Sequence, residues 1–264
     1  MLTSAVVRAP APNFFEGLTT AGLGAPNYGR ALEQHEAYCA ALERCGLRLT
    51  RLKADPNYPD STFVEDTAVV LSPRSRSDLL PQIVLTRAGA PSRRGEVESC
   101  RSILAGLVPS SHEIKSPGTL DGGDVCEAQM HFFIGISERT NEVGAQQLAK
   151  LLARQGYASS FIDIRNFDGL LHLKSGLAYL GDNHLVVTEA LADRTEFGGY
   201  DLVRVNSDDE YVANCVRVNE YVLVAAGYPK FEEQLRDPGY QTIALEMSEF
   251  QKMDGGLSCL SLRF

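Results

Sequence analysis

The sequence predicts an α/β fold in which five blades, each a strand–strand–strand–helix unit, close into a ring. Three observations predict it. First, a polar turn leading into an apolar strand that opens on a reactive side chain recurs five times: Asp66 in FVEDTAVVL, Asp121 in LDGGDV, His172 in LLHLKSGLAYL, Asn214 in YVANCVRV and Cys259 in GGLSCLSL. Second, these openings are 55, 51, 42 and 45 residues apart. A period of about 40–50 residues with strands in every unit is that of a propeller. Third, helical spacing follows the strands of most units. Equivalent positions in a ring face one axis, so two acids, a histidine, an amide and a cysteine should converge on one central pit. Those are the groups of a cysteine-nucleophile site.

The elements follow in order. Val6-Val7 opens a short strand. The segment APAPNFFEGLTTAGLGAPNYG is about twenty residues long, and loops of that length without their own structure are commonly functional lids. Its Phe14, Phe15 and Leu18 are not the composition of a disordered tail. From Tyr28 to Cys45 the spacing predicts a helix whose face is Ala31, Leu32, His35, Tyr38, Cys39 and Leu42, with Gly46 as its cap. Leu47 to Leu52 and Thr62 to Leu71 read as strands joined through DPNYPDS. Ile83 to Arg87 reads as a third, followed by a helix from Ser92 to Ala105 with Ser92 as N-cap. The theme recurs at Phe132 to Gly135 with a helix from Asn141 to Arg154, and at His184 to Thr188. It recurs again at Tyr221 to Ala225 with a shorter helix from Pro229 to Arg236. No linker or low-complexity tract interrupts the series, so residues 1–264 are expected to form a single domain.

Composition sets limits. The 264 residues suffice for a sizeable core, and 44% hydrophobic with 22% charged is an ordinary globular balance. Against 34 acidic residues stand 25 Lys and Arg, a net charge of -9. That disfavours nucleic acid as a partner and suits a small cationic substrate. No apolar run approaches ~20 residues, so no membrane span is expected. The start lacks a basic n-region and an apolar h-region, so it does not read as a secretory signal. Cys39, Cys45, Cys100, Cys126, Cys215 and Cys259 form no CxxC pair. Reduced thiols in a cytoplasm are the expectation.

Cys259 stands out among the cysteines. A free cysteine is more often a buried, inert one. Cys259 instead follows Asp254-Gly255-Gly256, and glycines let a ligand approach the backbone. A nucleophilic cysteine needs a partner that stabilises its thiolate and a proton donor for the leaving group, and histidine serves both purposes near neutral pH. His172 heads a repeat strand. The bland alternative is a packed core histidine. Asp121, heading the preceding unit, could orient its ring. A Cys/His/Asp set could also hold zinc, but the close ligand pairs of structural zinc are missing, and no metal or cofactor is expected.

The segment Asp60-Ser61-Thr62-Phe63-Val64-Glu65-Asp66 carries three carboxylates in seven residues. Most such runs are solvated turns. Asp66, however, opens an apolar strand, where a carboxylate wants a cationic partner, and a guanidinium matches a carboxylate with two parallel hydrogen bonds. Arg87 and Arg139 each end a strand in matching units and could clamp a carboxylate. Arg93 and Arg94 are expected to be solvated. The implied ligand is cationic at one end and carries a carboxylate at the other, like an arginine-type amino acid.

Together these segments resemble the dimethylarginine dimethylaminohydrolases, or dimethylargininases, of the guanidino-modifying (pentein) superfamily. The matching stretches are ALEQHEAY, PDSTFVEDTAVV, TRAGAPSRRGE, TLDGGDV, ISERTNEVGA, LHLKSGLAYL, YVANCVRVNE and KMDGGLSCLSLRF. They span nearly the whole chain, and the bacterial members are especially similar. The resemblance implies a five-bladed α/β propeller, the pentein fold. It implies hydrolysis of Nω-methylated arginine to citrulline and a methylamine through a covalent cysteine adduct, without a cofactor. It makes Cys259 the nucleophile, His172 the general acid and base, and Asp121, where some members have Glu, the group that orients His172. It places Asp60, Phe63, Glu65 and Asp66 about the substrate, with Arg87 and Arg139 on its α-carboxylate. Leu18 falls on the lid and Met253 at a position that meets ligand through its backbone carbonyl. Bacterial relatives suggest a homodimer. Arginine deiminase, amidinotransferase and a purely binding propeller remain the alternatives. The first two families are typically longer, and the third would have no use for Cys259, His172 and Asp121.

Overall fold

The computed structural model describes residues 1–71, 82–107, 111–167 and 169–264. The chain begins with β1 (Ser4–Arg8), α1 (Tyr28–Arg44) and β2 (Arg48–Leu52). A second unit follows as β3 (Ala68–Leu71), β4 (Gln82–Leu85), α2 (Glu96–Leu107) and β5 (Ser111–Glu113). The third is β6 (Val125–Ala128), β7 (His131–Ile136), α3 (Glu142–Arg154) and β8 (Ala158–Asp163). The fourth is β9 (Leu177–Gly181), β10 (His184–Thr188) and β11 (Asp201–Val205). The fifth is β12 (Val216–Val218), β13 (Tyr221–Ala225), α4 (Pro229–Arg236) and β14 (Gln241–Leu245). A short α5 (Ser248–Gln251) leads to the last strand, β15 (Ser261–Arg263).

These strands form five three-stranded sheets, as the repeat predicts: β15-β1-β2, β3-β4-β5, β6-β7-β8, β9-β10-β11 and β12-β13-β14. In each, the middle strand runs antiparallel to the inner one and parallel to the outer one. A parallel neighbour needs a crossover. That is why the helix lies between the second and third strands of a blade and not after the third, as the sequence had suggested. The fourth blade departs further. Its crossover carries two 3-10 turns, Glu189–Leu191 and Thr195–Phe197, and no α-helix.

Local signals account for the helices. Asn27 caps α1 by accepting from Arg30 N–H at 2.9 Å, and Gly46 beyond its end takes a φ of 91°. Asn141 caps α3 from Gly144 N–H at 2.8 Å, and Pro229 occupies the first turn of α4. Two expectations fail. Leu32 is 36% exposed, and Gln34 and Ala41 take places on the buried face of α1. Ser92 does not cap a helix, because Pro91–Arg93 is a 3-10 turn and α2 starts only at Glu96.

The core lies between blades. Side chains alternate along a strand, so each middle strand feeds two cores. Ala5 and Val7 face Val218 and Leu223 of the fifth blade, while Val6 and Leu262 face Ile83 and Leu104 of the second. Val84 packs with Phe132 and Ile134, Phe133 with Leu185 and Val187, and Val186 with Val222 and Val224. Five interblade clusters thus run round a closed ring. This double burial explains why the middle strands read as unbroken apolar runs. Among the described residues no helix is long and apolar enough to cross a membrane.

Closure depends on β15, whose Leu262 is 3% exposed and fills the seam between the first and second blades. Leu262→Ala should lower unfolding free energy by about 2–5 kcal/mol. Leu32→Ala, on the exposed side of α1, should cost less than about 1 kcal/mol. Urea unfolding midpoints of the two variants check this. Equal shifts would mean that β15 does not hold the seam.

Candidate active site

The reactive residues do not open their strands directly. A 3-10 turn stands before every inner strand: Val64–Thr67, Gly122–Asp124, Leu173–Ser175, Ser207–Ala213 and Ser258–Leu260. The predicted strand from Thr62 to Leu71 is therefore a turn as far as Thr67. Nor are the five positions equivalent. Asp66, Asn214 and Cys259 each lie two residues before strands starting at Ala68, Val216 and Ser261. Asp121 precedes Val125 by four residues, and His172 precedes Leu177 by five.

The turns are knitted into a circle about the axis. Gly123 N–H donates to Asp66 Oδ1 at 2.8 Å, and Leu173 N–H to Asp124 Oδ1 at 2.9 Å. Asn214 Nδ2 donates to the Lys174 carbonyl at 2.9 Å and its Oδ1 accepts from Ser258 N–H at 2.9 Å. Ser258 Oγ then donates to Glu65 Oε2 at 2.7 Å, which returns to the second blade. Each bond joins one blade to the next. The turns must approach closely for this, and a Cβ on Gly123 would stand 2.7 Å from His172 Nδ1.

A cavity of about 320 Å³ opens at one end of this circle. Leu18, Asp60, Phe63, Asp66, Arg139, His172, Met253 and Cys259, all candidates from the sequence, line it together. Asp121 stands behind: it is fully buried, with Oδ2 3.2 Å from His172 Nε2 and Oδ1 accepting from Gly89 N–H at 2.9 Å. Asn214 does not reach the cavity and instead props the turn that carries Cys259.

Two residues expected about the ligand do not line the cavity. Glu65 does not line the cavity. Successive residues of a 3-10 turn point about 120° apart, so Asp66 faces the cavity while Glu65 turns to Lys174 Nζ at 2.7 Å and Arg263 at 3.3 Å. Arg87 does not line it either, and its guanidinium donates to the Gly118 carbonyl at 3.1 Å. The cavity contains Arg93 instead, which was expected to be solvated. It is 7% exposed, donating to Asp66 Oδ2 at 2.7 Å and to both Glu96 oxygens at 3.0 and 2.8 Å. Its R-x-x-E spacing was the available signal, since residues three apart meet on a helical turn. Arg139 remains the open cation. No hydrogen bond or salt bridge among the described residues engages its guanidinium. Asp124, also missed, is fully buried and holds Ser137 Oγ at 2.6 Å and the turn after His172.

The segment over the cavity is fastened at two carboxylates. Leu18 N–H donates to Asp60 at 3.0 Å, and Thr20 N–H to Asp254 Oδ2 at 2.5 Å. Below it, Phe63 packs against Phe14 and Phe250 at centroid distances of 5.9 and 6.4 Å. Arg94 is exposed, as expected.

Electrostatics divide the site. Burial opposes charge on His172, but Asp66, Asp121 and Asp124 outweigh it and raise the imidazole to about 9. Burial, reinforced by Glu65 and Asp66, pushes the Cys259 thiol up to about 12. Burial also disfavours charge on Asp66, yet His172 and Arg93 hold it below the usual carboxylate range. Asp66, Asp121 and His172 place one potential ligand atom each within 4.8 Å of the others. Both carboxylates there already accept from protein donors: Asp66 from Arg93 and Gly123, Asp121 from Gly89 and His172.

Similarity to known proteins extends over the whole chain. The dimethylarginine dimethylaminohydrolase of Pseudomonas aeruginosa is 40% identical over 100% of both chains. The chain belongs to the dimethylarginine dimethylaminohydrolase family. The member from Streptomyces coelicolor is 34% identical over 98% of this chain and 96% of its own. A crystal structure of a mutant of the Pseudomonas aeruginosa enzyme complexed with citrulline superposes with a TM-score of 0.94, at 39% identity and full coverage of both chains. A family model described as arginine deiminase matches residues 79–209. The pentein fold expected of this dimethylarginine dimethylaminohydrolase family is the one observed.

In this family member Arg93 is the counter-ion of two buried acids. Arg93→Gln leaves Asp66 and Glu96 without it and should cost about 3–5 kcal/mol of stability. Arg94→Gln, at the neighbouring exposed position, should cost less than about 0.5 kcal/mol. Chemical denaturation of both variants measures the difference, and a cost below about 1 kcal/mol for Arg93→Gln would remove Arg93 from this role.

Proposed function

We propose that this protein hydrolyses Nω-methylated L-arginine, asymmetric dimethylarginine or monomethylarginine, to L-citrulline and dimethylamine or methylamine. The reading rests chiefly on one observation: Cys259, His172, Asp66 and Arg139 share a single small cavity. Full-length identity of 40% to a named dimethylarginine dimethylaminohydrolase supports the substrate.

Asp66 receives the substrate guanidinium and turns its central carbon toward Cys259. Arg139 receives the α-carboxylate at the far end, and the Leu18 segment covers the ligand and excludes water. A thiol near 12 is inert at neutral pH. The arriving cation offsets the negative charge of Asp66 and Glu65, and the thiol proton leaves to solvent. The sulfur attacks the guanidinium carbon and forms a C–S bond. The C–N bond to the methylated nitrogen then breaks, and its electron pair stays on that nitrogen. His172, protonated at neutral pH, supplies the proton that lets the amine depart. The neutral imidazole next takes a proton from water as the oxygen bonds to the thiouronium carbon. The C–S bond then breaks with its electron pair on the sulfur, the hydroxyl oxygen gives its proton to that sulfur as the C=O bond forms, and citrulline and the free thiol result. Asp121 keeps the ring oriented and favours its charged form throughout. None of these steps calls on a metal or an organic cofactor.

The arginine deiminase model matched over residues 79–209 favours one second reading, in which unmethylated arginine is the better substrate. We place the enzyme in the cytoplasm, where reduced thiols persist, as a single catalytic domain. It works on a small molecule without nucleic acid or membrane partners. A symmetric homodimer paired through an edge of the ring is the assembly we propose.

Citrulline release should be measured with dimethylarginine, monomethylarginine and arginine in parallel. Turnover of the methylated substrates should exceed that of arginine and vanish in Cys259→Ala. Faster turnover of arginine would establish the second reading, and no citrulline from any of the three would end both. The pH profile gives a separate check. His172 must carry its proton into the first step, so kcat should fall as pH rises. A bound cation would lower the imidazole from its raised value, so the fall should come no later than about pH 9. A kcat still rising beyond pH 9 would exclude His172 as the acid.

A further inference from the structure

Arg93 poses a problem of charge. Its NH1 lies 2.7 Å from Asp66 Oδ2, on the carboxylate assigned above to the substrate cation. A one-to-one pair would cancel the charge that Asp66 needs. Glu96 stands behind it. Its oxygens take Arg93 Nε at 3.0 Å and NH2 at 2.8 Å, and the side chain is 3% exposed. The guanidinium is thus shared by two carboxylates, and the buried trio of Asp66, Arg93 and Glu96 carries a net charge of −1. Glu96 does not line the ligand cavity; it borders a separate hollow of about 200 Å³ on the other side of Arg93.

We propose that Glu96 is a positioning and specificity-determining residue: it holds Arg93 from behind and leaves Asp66 the charge that selects a cationic ligand over a neutral one. This rests on the assignment of Asp66 to the substrate guanidinium. Glu96 touches neither substrate nor reacting atoms.

The arrangement predicts a pH signature. Arg93 from the preceding 3-10 turn faces Glu96 directly, and Asp60 and Asp66 face it from the segment under the lid. Cys100 lies one turn along α2, and Arg94 borders the second hollow. Arg8 reaches Ser99 from β1 at 2.5 Å. Beyond Asp66 and Arg93 stand His172 and Asp121. Burial, with Asp60 and Asp66 added, outweighs Arg93 and lifts the Glu96 carboxyl to about 7. Below that pH Glu96 takes up a proton and the trio loses its net charge. Affinity for a cation should then drop, while affinity for a neutral ligand should hold. His172, near 9, and the Cys259 thiol, near 12, keep their protons across this window.

The test compares KM for asymmetric dimethylarginine with the inhibition constant of citrulline, which is uncharged at the ureido end, from about pH 5.5 to about pH 8.5. Wild type should show KM rising on the acid side of about 7, with the citrulline constant flat. Glu96→Gln should raise KM about ten-fold at pH 8, leave the citrulline constant within about two-fold and lose the acid-side rise. Glu96→Asp, which keeps the charge, should recover most of the affinity. Glu98→Gln, altering an exposed pair with Arg101, should behave as wild type. Equal losses for cation and neutral ligand, or an acid-side rise that persists in Glu96→Gln, would overturn the inference. If Glu96→Gln does not fold, the wild-type profile decides, and a KM flat through pH 7 overturns it. Wild type that never turns over dimethylarginine removes the underlying function first, before any variant is compared.

Discussion

A ring of blades has to close, and this one closes through a strand of three residues. β15 pairs antiparallel with β1, Val6 opposite Leu262, and so places the C-terminus in the same sheet as the N-terminus. Little of the adhesion comes from β15's own ladder. It comes from Leu262 in the seam, from Arg263 on Glu65, and from Asn219, which holds both polar groups of the Leu2 backbone from the fifth blade. Cys259 stands two residues before this strand. Closure of the fold and placement of Cys259 are therefore one event, and anything that opens the seam also withdraws the sulfur from His172's cavity.

The same segment explains the density of buried charge on the axis. Glu65 accepts from Ser258, Lys174 and Arg263, which belong to the turn that carries Cys259, the turn after His172 and the closing strand. One carboxylate thus ties three separate stretches of chain. Buried ion pairs are weak sources of net stability, since desolvation offsets most of their attraction. Their value here is geometric. Each pair is costly to break on one side only, so the set fixes where the turns stand. Asp66 and Glu65, adjacent in sequence, divide the work: one faces the cavity and the other faces the frame.

The repeat was legible because strand and turn chemistry recur at a spacing no other feature imitates, and the middle strands announced themselves as apolar runs. The helix positions within each blade were harder. A helix before or after the third strand gives the same order of apolar patches, and only the parallel pairing of β7 with β8, or β13 with β14, decides between them. At the site, Cys259, His172, Asp121 and Asp66 each had a bland reading as well; what singled them out was their recurrence ahead of successive inner strands, and the fold brings Cys259, His172 and Asp66 to one cavity with Asp121 behind His172. Arg93 was not singled out, because it sits in a polar stretch, SRRGE, where burial leaves no composition signal. Arg87 was chosen for its strand end, but strand-end position does not fix side-chain direction. Glu65 was grouped with Asp66 by proximity, and the 3-10 turn separated them.

The thiol shows why the charges must be arranged as they are. Cys39, Cys126 and Cys215 are buried, and burial raises their thiols to about 11 or 12. Cys259 reaches about 12 although it alone of the six is not fully buried, because Glu65 and Asp66 add to what desolvation does. An oxidant or a stray electrophile meets a protonated sulfur. In the proposed reaction a guanidinium would meet Asp66, and its charge would offset the two carboxylates that disfavour the thiolate. Burial is the larger cause at Cys259, as it is at the other cysteines, and it stays when a ligand binds; the share added by Glu65 and Asp66 is the part that a cation bound at Asp66 would offset.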